Sequence, residues 1–377
     1  SCVLFRTLGR WWRGSAICTW FCRRLGAEPR PTAESGTTLA LNRLNIRLAQ
    51  RHNLKTAWPY SVLGRAYGAV MRCGRESRLF GWLFAGGAES LLLFALGIYV
   101  LIDYLLRSVL SVPLLSSVWD ELLMLFALFW LVWQRMDRVS PLRARVNPLD
   151  LPVCIFLCTG FVLMNVVSPY FSIQINGYRA TVQYLLWFFL LTRILRDTRD
   201  VLQLYLVLIA VAFVLALHGI YQYIAGVPMP ASWVAAAETA VRTRVYSIFG
   251  SPNIMGDYMV IFAPMAVGLA YYSDKKSVRA LAWAAALCMC VACLFTMSRG
   301  AWVAMAVAIA LFIVLVDRRL IWLVLLGGAC LTLVPFVRTR IAFLFTDEFI
   351  AANTNGGRGE RWVFGMELLR KNSPMLG

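Results

Sequence analysis

Residues 201–225 read VLQLYLVLIAVAFVLALHGIYQYIA, twenty-five positions without an Asp, Glu, Lys or Arg. A helix needs about 20 such residues to cross the hydrocarbon core of a bilayer. In lipid every backbone polar group must bond within the protein, so a spanning segment is a helix or a strand of a closed barrel. A barrel strand alternates apolar and polar side chains over ~10 residues, and this stretch does not alternate. It reads as a membrane-spanning helix. Composition agrees: the apolar class AVILMFWYC makes up 60 % of the 377 residues, charged residues 15 %, and mean hydropathy is +0.67. A soluble domain carries roughly 25 % charge.

Similar blocks place spans near 82–106, 114–133, 151–167, 180–195, 254–273, 279–297, 301–316 and 320–337. With 201–225 they predict an all-α polytopic transmembrane helix bundle of about nine spans, with a partial extracytoplasmic helical loop. Three regions follow. Residues 1–78 form a cytoplasmic basic amphipathic segment, 79–337 the transmembrane bundle, and 338–377 the incomplete start of an extracytoplasmic loop domain.

Orientation comes from Lys and Arg in the short loops, which favour the cytoplasmic side. With the N-terminus inside, the inner loops hold Arg135, Arg138, Arg143, Arg145, Arg196, Arg199, Lys275, Lys276, Arg318 and Arg319, and Arg193 and Arg279 flank them. The outer loops and helix ends hold Arg107, Arg179, Arg242, Arg244 and Arg299. Residues 1–78 add 14 Lys and Arg to the inner side. Much of the net charge of +18 is thus a topology signal. It calls for no nucleic-acid partner.

Within residues 1–24, apolar Trp11, Trp12, Ile17 and Trp20 alternate with Arg6, Arg10, Arg13 and Arg23, which predicts a helix lying on the inner leaflet. A linker follows around Glu28–Gly36, then a second amphipathic helix over Leu39–Ala49. The plainer reading is a solvated tail. At the other end, Arg358–Lys371 predicts a helix with Trp362, Met366 and Leu369 on one face, stopped by Asn372-Ser373-Pro374. A chain that ends just after the first helix of an outer segment is expected to continue, and its beginning without Met points the same way. Cys288, Cys290 and Cys293 read as small packing residues, and no cysteine pair has a metal-binding spacing with either His. The site is expected to hold no metal and no cofactor.

The outer face collects the candidate chemistry. Arg242 and Arg244 precede Tyr246-Ser247-Ile248-Phe249-Gly250-Ser251-Pro252-Asn253, with Asp257 one turn into the next helix. Gly250, Pro252 and Asn253 suit a tight entry into a helix, Asn253 could cap it, and a helix N-terminus attracts anions. Arginine offers planar donors suited to phosphate. The combination fits a receptor for phosphate or diphosphate; the same residues also make a plain turn with two arginines and a routine cap. Thr296-Met297-Ser298-Arg299-Gly300-Ala301 places Arg299 in a tight turn between two apolar helices, where it binds a ligand or simply snorkels. Gly357-Arg358-Gly359-Glu360-Arg361-Trp362 adds Arg358 and Arg361 at another helix start.

In order and spacing these motifs, with Asn372–Gly377, resemble the O-antigen ligase and polymerase superfamily of bacterial membrane proteins over roughly residues 150–377. The resemblance implies a metal-independent glycosyltransferase at the outer face of the bacterial inner membrane. Such an enzyme moves a glycan from an undecaprenyl-diphosphate carrier to an acceptor, lipid A-core for a ligase or another glycan for a polymerase, in cell-surface polysaccharide or lipopolysaccharide biosynthesis. Its partners are the lipid-linked glycan, the acceptor and the bilayer. It also implies that Arg244 and Arg358 engage the diphosphate, with Arg242 and Arg361 as alternatives and Arg299, Asn253 and Asp257 in support. The family's catalytic base is a His of the large outer loop. Neither His52 nor His218 matches it, and its expected place falls beyond Gly377.

Two other classes fit a polytopic membrane protein. An anion transporter, of the kind some relatives are described as for bicarbonate, would want polar groups near mid-membrane. Asp103, His218 and Pro264 are the candidates. A non-catalytic membrane scaffold is the other.

Overall fold

Every regular element among the described residues is a helix, as apolar blocks without alternation require. The computed structural model describes residues 43–44, 46–48, 50–78, 81–136, 149–166, 171–195, 197–230, 233, 243–332, 335–342, 346 and 358–372. The expected inner-leaflet helix of residues 1–24, the linker after it and Arg242 lie outside them, as does most of the 39–49 helix.

In chain order, α1 (His52–Ala57) leads through a 3-10 turn, Trp58–Tyr60, into α2 (Val62–Glu76). Then come α3 (Gly81–Phe84), α4 (Ala88–Gly97) and α5 (Tyr99–Tyr104), which continues as a π-helical turn, Leu105–Val109. Helices α6 (Pro113–Arg135), α7 (Asp150–Val166) and α8 (Phe171–Val182) precede a 3-10 turn, Gln183–Leu185, and α9 (Leu186–Ile194). The chain goes on through α10 (Thr198–Ala225), α11 (Pro252–Tyr272), α12 (Lys276–Phe295) and α13 (Arg299–Leu315). Last are α14 (Leu320–Thr332), α15 (Pro335–Ala342) and α16 (Arg358–Asn372).

Four stretches are long and apolar enough to cross a membrane as single helices: Leu115–Gln134, Thr198–Ala225, Pro252–Tyr272 and Lys276–Phe295. A fifth arises if Ala88–Gly97 and Tyr99–Val109, bent by 69°, count as one span. Among the described residues the expected count of about nine is therefore not confirmed. The first expected span, 82–106, is broken at Gly97 and Ile98. The fourth, 180–195, falls on α8 and α9 with the 183–185 turn between them, and the ninth is described as Leu320–Thr332 and Pro335–Ala342, with 333–334 outside the described residues. The blocks at 151–167 and 301–316 form α7 and α13, each of 17 residues. Hydropathy reports which residues suit lipid, but breaks of this kind depend on local packing. At Gly97 a Cβ would strike the Val207 side chain.

The chain divides into two compact units within α10, one up to Val207 and one from Leu208. In the first unit Leu92 and Leu93 of α4 pack with Ala127 and Leu131 of α6 and Trp187, Leu190 and Ile194 of α9. Polar side chains collect at helix ends, where their groups find partners. Gln134 donates to Glu89 at 2.6 Å, Ser90 and Gln203 bond each other, and Arg193 pairs with Asp150 at 2.8 Å. At the other end of α6, Trp119 and Arg107 both donate to Asp103, and Arg179 pairs with Glu121. Asp103 is thus engaged by neighbours at a helix end, which gives no support to a transport role at mid-membrane.

In the second unit α11 and α12 meet through small side chains. Gly256, Ala263, Ala266 and Ala270 are buried on one, Ala282, Ala285, Ala286, Ala292 and Cys293 on the other, at helical spacing. Helices in lipid associate by close packing of small residues, since lipid tails are as apolar as leucine.

Candidate functional site

The loop entering α11 runs over residues 243–251, and it is built from α10 outward. Two residues in it, Ser247 (φ +49°) and Gly250 (φ +63°), occupy the left-handed region. Gly250 does so freely, whereas a side chain such as that of Ser247 costs about 1 kcal/mol there. Gln222 of α10, a buried amide, holds Ser247 in place. Its Oε1 accepts from the backbone N–H groups of Ser247 at 2.7 Å and Tyr246 at 3.2 Å, and its Nε2 donates to the Ser247 carbonyl at 3.2 Å. One turn earlier, His218 Nδ1 lies 2.9 Å from Ser247 Oγ. Thr243 donates to the Val227 carbonyl at 2.8 Å, and Val245 N–H donates to the Phe295 carbonyl at 3.1 Å.

Arg244 ties this loop to two other segments. It is 8 % exposed. Its Nε donates to the Thr296 carbonyl at 3.0 Å, one terminal nitrogen to the Trp233 carbonyl at 2.6 Å, and the other to Asn253 Oδ1 at 3.2 Å. These three acceptors are neutral. Asn253 thus does not cap α11 as expected: Ser251 is the N-cap residue, without a side-chain cap bond, and Pro252 starts the helix. The physical reason is position: Asn253 is already the second residue of the helix, past the cap, and its side-chain oxygen accepts from the Arg244 guanidinium. Asp257 is exposed one turn further on.

The Thr296–Ser298 turn is equally well fixed. Thr296 Oγ1 donates back to the Cys293 carbonyl at 2.7 Å and accepts from Ser298 N–H at 3.3 Å. Met297 takes φ +55°. Trp302 Nε1 reaches the Cys293 and Leu294 carbonyls at the end of α12, each at 3.2 Å. Arg299 is then the first residue of α13 and half-buried, while Gly256 allows α11 to approach Ala301 of α13.

The structure therefore joins two of the three sequence motifs into one node, Arg244–Asn253 and Thr296–Arg299. It sits at the N-termini of α11 and α13, where helix dipoles favour negative charge. Arg358 opens α16, as expected, and its side chain lies outside the described residues. Arg361 is exposed, takes no part in the hydrogen bonds of the node, and lines a shallow groove with Trp362, Gly365, Met366 and Leu369. Sequence reasoning missed Gln222 and the hydroxyl of Thr296. A signal for Gln222 existed, since it stands four residues after His218 on one face of an otherwise apolar helix.

Searches of curated proteins and of solved structures found no match. The description O-antigen ligase belongs to the family model that matches residues 284–377, the segment holding both the Thr296–Ala301 turn and the Arg358–Trp362 helix start.

Proposed function

We propose that this protein is a glycosyltransferase of the membrane glycan ligase or polymerase type. In this reading it moves a glycan from an undecaprenyl-diphosphate carrier to an acceptor at the outer face of the bacterial cytoplasmic membrane, with its N-terminus inside. The observation that supports it most is the O-antigen ligase match over residues 284–377, whose Thr296 turn is bonded by Arg244.

The reaction breaks the bond between the anomeric carbon and the diphosphate oxygen and forms one from that carbon to an acceptor hydroxyl. The diphosphate departs with the electron pair, and the hydroxyl proton passes to a base, a role that no residue of the chain is assigned here. Charge grows on the leaving oxygens, so cations and helix N-termini fixed beforehand lower the barrier. Arg299, at the head of α13, and Arg358, at the head of α16, are the arginines proposed to meet that charge, with Arg361 beside the latter. Arg242 is a further candidate. Arg244, held by three protein acceptors, would act chiefly by fixing the turn that carries Arg299, with Asn253 as its partner and Asp257 nearby.

The test is transfer from a lipid-linked glycan by the membrane-inserted protein. Arg299→Ala is expected to lower transfer roughly a hundredfold, as loss of one stabilising donor does in other enzymes, while insertion stays normal. Unchanged transfer in both Arg299→Ala and Arg358→Ala would overturn the reading.

A further inference from the structure

Helix α2 carries an apolar face that points away from the rest of the protein. Val62, Leu63 and Val70 are 73 %, 70 % and 58 % exposed. At 3.6 residues per turn they share one arc of about 100° with the exposed Ala66 and Cys73. Arg65 and Arg72 flank this arc, while the buried Gly64 and Met71, with Arg75 beside them, lie opposite it.

Its position is fixed from both ends. Just before it, Trp58 packs edge-on against Trp133, with ring centroids 5.3 Å apart, and Lys55 Nζ lies 6.0 Å from the Trp133 ring. Trp133 belongs to the last turn of α6, a membrane-crossing helix. Just after it, Arg75 donates to the Phe84 carbonyl at 3.2 Å, the Phe84 ring covers Gly74, and Trp82 packs on Phe94 of α4. The Gln134–Glu89 bond places the end of α6 and the start of α4 at one level. A 15-residue helix is about 22 Å long. Tethered at both ends to that level, it lies across the end of the spans and does not project from them.

That level is where the hydrocarbon of a bilayer gives way to headgroups. A helix there with an uncovered apolar arc and arginines flanking it has the build of an interfacial helix. We infer that α2 docks in the plane of the membrane, with Val62, Leu63, Ala66, Val70 and Cys73 among acyl chains and Arg65 and Arg72 on anionic lipid headgroups. The charge decides the lipid class: three arginines face one carboxylate, Glu76, and each basic residue near an anionic surface contributes about 1 kcal/mol. Docking of α2 in this way is independent of what the protein transfers.

The test uses the full chain in lipid nanodiscs, whose two faces are open to water, with a charged thiol reagent and the modified cysteines mapped by mass spectrometry. Cys73 lies on the apolar arc, and Gly68→Cys places a thiol about 140° round the helix from it, where an added Cβ meets nothing within 4 Å. In phosphatidylglycerol nanodiscs Cys73 is expected to react roughly tenfold more slowly than Gly68→Cys, because access to the thiolate limits its chemistry. The difference is expected to shrink in phosphatidylcholine and in an Arg65→Ser/Arg72→Ser variant. If the Gly68→Cys protein fails to fold, the rate of Cys73 in the two lipids carries the test alone. Equal rates at the two positions, or a Cys73 rate that ignores both lipid charge and the arginines, would overturn the proposal. So would protection of Cys73 that arises only when membrane proteins from cells are added, since that would make the occupant a protein.

Discussion

The Nε atom of Arg244 lies 3.0 Å from the carbonyl oxygen of Thr296, a residue 52 positions further along the chain and fully buried. The bond joins the entry of α11 to the turn between α12 and α13. A guanidinium with one such bond could still swing toward a ligand. With two more, to Trp233 and Asn253, its plane is fixed. Two neighbouring stretches of the loop and a turn 52 positions further on therefore meet at one side chain.

Replacing Arg244 with Ala is expected to destabilise the second unit by about 2–3 kcal/mol, because the carbonyl of the buried Thr296 loses a charged donor, and the Trp233 carbonyl and Asn253 Oδ1 lose it too. Arg244→Lys restores the charge and cannot reach three separate acceptors, so most of the loss should persist. Thermal unfolding of the purified protein in detergent measures both.

Gln222→Ala leaves the N–H groups of Tyr246 and Ser247 and the Ser247 carbonyl without their partner, at about 1–3 kcal/mol for each group that water cannot reach. Gln222→Glu keeps the acceptor oxygen for the two N–H groups and loses only the donor to Ser247. It should therefore fall between the wild type and Gln222→Ala in the same unfolding measurement. Equal stability of all three proteins would refute the clamp.

A Cβ on Gly256 would come within 2.6 Å of the Ala301 Cβ, an atom fixed to the backbone of α13. Gly256→Ala is thus expected to cost about 1–3 kcal/mol by forcing the helices apart. At Gly219 the added methyl meets the flexible end of Met255 as well as Val245, so Gly219→Ala should cost less. Parallel melting curves of the two variants give the order.

Asp317 sits in the loop between α13 and α14, where the Arg319 N–H and then the Tyr271 hydroxyl hold its carboxyl below the usual carboxylate value. A pKa lowered by folding stabilises the protein above the unfolded value and loses that contribution as pH falls through the folded one. The tie is therefore complete at neutral pH and fails only in acid below the ordinary carboxylate range. In Asp317→Asn this part of the acid dependence should vanish, as read from melting temperature against pH. Wild type and variant with the same acid profile would refute it.

The reach of sequence reasoning differs between these elements. The span predicted at 114–133 is found within α6, and that at 201–225 within α10, because long apolar runs are read directly from side-chain chemistry. The helix expected over Arg358–Lys371 is present as Arg358–Asn372. The expected span 180–195 fares worse. Its 3-10 turn has no residue that marks it, since Gln183-Tyr184-Leu185 suits a helix as well as a break. For Asn253, sequence pattern allowed a cap, but the helix starts one residue earlier at Pro252, and the side-chain oxygen bonds a guanidinium nine residues back.

What can be read from residues in a row is what each contributes locally: an apolar block suited to lipid, arginines in connecting segments, a proline or glycine that starts or bends a helix. From these follow the all-helical membrane class and the motifs that resemble O-antigen ligases. Which of those motifs share a place is another matter, because it depends on bonds between residues tens of positions apart. Folding brought Arg244 to Thr296, buried it among neutral acceptors, and so turned a residue chosen for its charge into one that holds a turn. It also left the apolar side of Val62–Glu76 facing outward at the end of two spans, a consequence of where Trp58 and Phe84 pack that no local pattern contains.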